Sequence, residues 1–132
     1  MKKVVWCLWL VLAMPSMALS AENTDADTAN FIMQGCRNAL SGEANKITLF
    51  DAGLCARAVN AIAFAGGVEC AVLKKGYVTP GQDPGVDIPD DFTTEEAIRI
   101  VVKYIDARPE RMNELFYGLA REALAQAWPC KH

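Results

Sequence analysis

The last forty residues, from Phe92-Thr93-Thr94-Glu95-Glu96 to Trp128-Pro129-Cys130, constrain this chain most. Thr93 and Glu96 stand at capping-box spacing, and Ile98, Val101, Val102 and Ile105 follow at the helical period. Pro109 suits the first turn of a further helix, where a missing N–H costs nothing. Met112, Leu115, Phe116, Leu119, Ala123 and Ala127 give that helix an apolar stripe, and Pro129 ends it. A cysteine directly after the stop predicts a tail stapled to the body. Two amphipathic helices with a staple require a core supplied by the residues upstream.

Upstream, the same period predicts two more helices. Thr24 and Asp25 are placed to cap one that carries Ala29, Ile32, Met33, Cys36 and Leu40 along one side, and Ser41-Gly42 ends it. Another is expected from near Thr48, with Asp51 as its capping acid, to a break at Gly66-Gly67, after which Val68 to Leu73 either extend the helix or start a short turn. Ala and Gly dominate this second helix, so neighbouring backbones can approach it closely, and it is expected to be central and packed on several sides. Arg57 and Asn60 mark its solvent side. Between residues 76 and 89, Gly76, Pro80, Gly81, Pro84, Gly85 and Pro89 forbid a continuous helix. The expected fold is all-α, a compact bundle of about four helices with two disulfides.

Residues 1–20 read as a cleaved signal peptide. Lys2 and Lys3 precede the uncharged run Val4 to Met14, and Ala18-Leu19-Ser20 offers the cleavage site. That run is shorter than the roughly 20 residues a bilayer span needs. The expected location is the periplasm, with residues 21–132 forming one helical domain and no stable membrane insertion. Removing Lys2 and Lys3 from 13 basic residues leaves 11 against 16 acidic ones, a mature net charge of −5. Such a balance argues against nucleic acid, whose binding rests on neutralising phosphates.

Five cysteines less Cys7 of the leader leave Cys36, Cys55, Cys70 and Cys130, an even number in an oxidising compartment. Zinc is disfavoured, because there is no Cys-x-x-Cys pair and the single histidine is the terminal His132. A helical hairpin centred near Asn45 places Cys36, nine residues before it, opposite Cys55, ten after it. Cys70 then pairs with Cys130, closing a loop worth about 4 kcal/mol in the chain-entropy model.

No positioned base, nucleophile pair, phosphate loop or EF-hand spacing is present, so neither catalysis nor a metal or other cofactor is expected. The conspicuous polar feature is a run of six acids without a base: Asp83, Asp87, Asp90, Asp91, Glu95 and Glu96. Lying between prolines and beside a capped helix, Asp83, Asp87, Asp90, Asp91 and Glu95 are the candidate partner-binding residues, suited to a basic cleft.

The segments Phe92-Thr93-Thr94-Glu95-Glu96, Ile100-Val101-Val102-Lys103-Tyr104-Ile105, Arg108-Pro109-Glu110-Arg111 and Ala123-Leu124-Ala125-Gln126-Ala127-Trp128-Pro129-Cys130 resemble the Rap/Tai family of immunity proteins. These protect bacteria against amidase effectors of type VI secretion. The chain departs from the family where Asp87-Ile88-Pro89 lacks a cysteine two residues before the proline, and where Ala56-Arg57 replaces Gly-Tyr after Cys55. The resemblance implies a periplasmic inhibitor of a peptidoglycan amidase, commonly a homodimer, with a loop that enters the effector's cleft; Gln82 to Asp91 is the loop that fits. Competing readings are a periplasmic acid-stress chaperone, which would have to respond to pH through its carboxylates, and an envelope protein of another role.

Overall fold

The computed structural model describes residues 25–42, 45–77 and 85–131. Residues 1–20, read above as a signal peptide, lie outside the described residues, as do Thr24, Asp83, Pro84 and His132. Four helices form the body: α1 (Ala29–Ser41), α2 (Lys46–Lys74), α3 (Thr94–Asp106) and α4 (Phe116–Ala127), with short 3-10 turns at Asp25–Asp27 and Pro109–Arg111. Among the described residues there is no β-strand, and the all-α expectation holds.

Helix α1 starts in an unexpected way. Thr28 occupies its N-cap without a side-chain cap. The free N–H groups of Ala29 and Asn30 instead donate to the carbonyls of Glu114 and Met112, at 2.9 and 2.8 Å. A first turn needs acceptors for its orphan donors, and here the connection before α4 supplies them. Gly42, with φ of 71°, ends the helix in the left-handed region, as its sequence suggests.

Helix α2 is longer at both ends than its sequence indicated. Asn45 is the cap: its Oδ1 accepts from Ile47 N and Thr48 N, while Thr48 Oγ1 accepts from Asn45 N. Thr48 thus sits at the third helical position, and Asp51 plays no capping part. Gly66-Gly67 does not break the helix, which continues to Lys74. The glycines make room for another segment. A Cβ on Gly66 would stand 2.5 Å from Val86 Cγ2, and one on Gly67 would stand 3.0 Å from Ile88 Cδ1.

The core lies where α1, α3 and α4 close on the inner side of α2. Met33, Val59, Val86, Val101, Ile105, Phe116, Leu119 and Leu124 are fully buried there. Both disulfides form as the hairpin argument requires: Cys36–Cys55 joins α1 to α2 with Cα atoms 5.1 Å apart, and Cys70–Cys130 joins the end of α2 to the tail at 5.6 Å. Pro109 opens a separate 3-10 turn rather than α4. Helix α4 begins at Phe116, leaving Leu115 exposed before it and Ala127 exposed at its end.

Polar pairs close the α3–α4 side. Arg111 donates to Glu114 and Glu122 at 2.6 to 3.0 Å, and Tyr104 Oη donates to Glu122 Oε2 at 2.8 Å. Hydrogen bonds from Arg111 hold both carboxyls below the ordinary value of 4.5. A carboxyl lowered by folding contributes fully above about pH 4.5, and that contribution fades as pH falls through its folded value. We predict that thermal stability declines below about pH 4.5 and that Glu122→Gln flattens this acid limb. The cost of that change at pH 7 is expected to be about 1 kcal/mol or less, because water screens a half-exposed pair. An unchanged acid limb in a pH series of thermal melts would refute the assignment.

The glycines of α2 give a second prediction. Gly53 has open space where a Cβ would go, so Gly53→Ala should stabilise by about 0.5–1 kcal/mol. Gly66→Ala drives a methyl into buried Val86 and should destabilise by about 1–2 kcal/mol net, overpacking outweighing the gain in helix propensity. Chemical denaturation of the two variants checks both signs.

Candidate partner-binding surface

Residues 85–93 bridge α2 and α3 and carry the candidate acids. The segment is held down at its start by the glycines of α2. Val86 N donates to Gly66 O at 2.9 Å, within the helix that Gly66 belongs to. Gly85 lies flush on that helix, where a Cβ would come within 2.2 Å of Cys70 N. Val86 also pairs with Pro129 in an antiparallel bridge, and Asp87 N donates to Trp128 O at 2.9 Å. The C-terminal segment therefore covers the loop from the other side, and the Cys70–Cys130 bridge locks that arrangement. Phe92 closes it edge-on to Trp128, with ring centroids 5.9 Å apart.

The candidate acids divide by circumstance. Asp87 is half-buried, and Lys74 Nζ donates to both its carboxylate oxygens at 2.8 and 2.9 Å. Glu95 is exposed and pairs with Arg99 one turn along α3. Asp90 and Asp91 stand exposed on the turn closed by Phe92 N donating to Pro89 O. Glu96 is exposed as well, and its backbone N–H donates to Thr93 Oγ1, which caps α3. The structure thus gathers Asp90, Asp91, Glu95 and Glu96 around the start of α3. Asp87 instead anchors the loop to α2. Lys74 was not among the sequence candidates; it stands beside Lys75 at the end of a half-helix whose other charge is Glu69.

A second surface went unremarked in the sequence. The side of α2 turned away from the core exposes Ile47, Phe50, Leu54, Phe64, Val68 and Val72. Helix α2 is central, contacting α1, α3 and α4, yet this side stays open. It is the one helix among the described residues long and apolar enough to cross a membrane by length and composition. Its inner side is tied into the bundle through Cys55 and Cys70. Arg57 and Asn60 are exposed, as expected, and Asn60 Oδ1 accepts from Thr94 Oγ1 at 3.1 Å.

A groove of about 700 Å³ runs between the start of α1 and α2, with Asn30, Phe31, Gln34, Asp51 and Leu54 on its walls. Among the described residues, no three His, Cys, Asp or Glu side chains converge on a point suited to a metal ion.

Comparison with curated proteins and with solved structures returned no match. The family model of Rap1a immunity proteins matches residues 28–130, which take in all four helices and all four bridged cysteines, and the chain therefore belongs to the Rap1a immunity protein family.

Proposed function

We propose that this protein is a periplasmic immunity protein that binds and blocks a peptidoglycan amidase effector of a type VI secretion system, acting as a homodimer and without catalytic turnover. The observation that carries the reading is the family match over residues 28–130. Export is supported by the leader-like residues 1–20 and by two disulfides, which need an oxidising compartment.

The recognition element in this proposal is the acidic turn. Asp90 and Asp91 project from a backbone fixed at both ends, by Gly66 and Trp128 on one side and by the Thr93 cap on the other. A fixed loop gives up little conformational entropy on binding. Its charge favours a basic cleft rim and accelerates encounter, over a Debye length of about 8 Å at physiological ionic strength. Asp83 lies in the same acidic run, and Glu95 flanks it on α3.

Inhibition by contact is stoichiometric. Titrating the mature protein into a cognate amidase should abolish peptidoglycan cleavage at a fixed molar ratio. Inactivation of a large molar excess of amidase would exclude a contact mechanism and point to an enzyme.

The loop assignment has its own check. Replacing Asp90 and Asp91 with Asn should slow association with the amidase about tenfold at low salt and make its salt dependence shallower. Asp87→Asn should act differently, weakening the anchor to Lys74 and lowering stability. An association rate and salt slope unchanged in the Asp90/Asp91 variant would remove this loop from the recognition surface.

A further inference from the structure

The outward face of α2 has a pattern that solvation alone does not account for. Ile47, Phe50, Leu54, Arg57, Ala61, Phe64, Val68 and Val72 recur at steps of three or four residues, opposite the buried row of Cys55, Val59, Ile62, Gly66, Cys70 and Leu73. Exposure reaches 75% at Ile47, 66% at Phe50 and 73% at Phe64. A rise of 1.5 Å per residue makes this stripe about 37 Å long. Contiguous apolar patches of that extent mark interaction sites, and the three-four spacing is the seam a second helix fills.

The order of side chains identifies the occupant. Residues equidistant from Val59 are complementary in size: Phe50 with Val68, Leu54 with Phe64, Arg57 with Ala61, and Ile47 with Ala71. A face with this symmetry fits itself when turned end for end, as an isologous two-fold contact demands. A parallel arrangement would stack Phe64 on Phe64 and set Arg57 against Arg57. The antiparallel one lays each Arg57 over an alanine, with its long stem on apolar surface.

Charge agrees with the sizes. Thr94 ties the first turn of α3, which carries Glu95 and Glu96, to Asn60, one residue from Ala61, so Arg57 of a second copy would arrive near the acidic start of α3. On the other flank Leu115 and Tyr117, exposed beside Ala58 and Ala61, widen the apolar surface. A seam of this length and roughly 15–20 Å width covers about 550–750 Å² per copy, and the flanks bring it near the ~800 Å² per partner of stable complexes.

We infer that the outward face of α2 is the self-association surface of this protein, with two copies lying antiparallel about a two-fold axis at the level of Val59. This rests on the homodimer in the proposed function and supplies its interface.

The test uses the oxidised mature chain, residues 21–132. Sedimentation equilibrium should show a dimer, and Phe64→Glu should raise its dissociation constant at least ~30-fold. Tyr77→Glu, equally exposed but past the end of the helix, should leave it unchanged. Both positions are on the surface, so circular dichroism should show the fold retained. A benzophenone amino acid at position 64 should cross-link copies through tryptic peptide 47–57, which holds Leu54. A cross-link confined to residues 58–74 would overturn the antiparallel register. A dimer indifferent to Phe64→Glu would remove the seam and leave the homodimer reading standing; a monomer at 100 µM, an assay concentration of about that order set by interface affinities, would remove both. Phe64-dependent binding of such a monomer to phosphatidylglycerol vesicles would assign the face to lipid instead.

Discussion

The contact between Gly66 and Val86 is the constraint on which the rest of the arrangement depends. Helix α2 has to run unbroken for 29 residues, so that one end can meet α1 and the other the C-terminal tail. The chain must then return across that helix to begin α3. Helices ordinarily hold a neighbouring backbone off by the width of their side chains. At Gly66 no side chain intervenes, and Val86 donates its N–H to a carbonyl of α2 while its own side chain enters the core. Once that crossing is fixed, Asp87 falls within reach of Lys74, and Trp128 and Pro129 have an edge to lie against. The Cys70–Cys130 bridge closes around an arrangement already specified by packing. It constrains the unfolded chain through a separation of 60 residues more than it shapes the folded one.

This dependence explains which features could be read from the sequence. Cys36–Cys55 followed from counting out from a hairpin turn, because adjacent antiparallel helices keep equidistant residues together. The cap at Thr93 and the left-handed glycine at position 42 were visible because caps act within four residues. Gly66-Gly67 was misread as a helix stop because a glycine pair carries the same local signal whether it ends a helix or admits a distant segment. Only Val86 and Ile88, some twenty residues away, settle the matter. Pro109 was misread for a related reason. Its fixed φ suits any helical first turn, and here it opens a 3-10 turn instead. The backbone at 112–114 past that turn accepts from the first turn of α1, a long-range pairing without a sequence signature.

The candidate site shows the same division. Six acids without a base announce a negative surface, yet composition does not say which charges remain available. The structure gives Asp87 to Lys74 and Glu95 to Arg99, leaving Asp90 and Asp91 on a turn held at both ends. A partner would therefore meet a small rigid projection. That distinction bears on mechanism: free charge on a fixed frame speeds association, whereas paired charge would have to be stripped of its partner before contributing.

Asn60, midway along α2, accepts a hydrogen bond from Thr94, the first residue of α3, and so ties α2 to the element that follows the proposed recognition turn. Their proximity makes self-association and effector binding physically coupled in the proposed dimer. Arg57 of a second copy, arriving near the first turn of α3, would draw negative potential away from the acidic turn that precedes it. Asp90 and Asp91, on the far side of the Thr93 cap, would stay clear of the seam. Coupling through a shared charged edge is modest in water, and it shrinks with salt as the Debye length shortens. Occupying the seam would thus tune the potential of the recognition turn while leaving its backbone geometry to the crossing at Gly66.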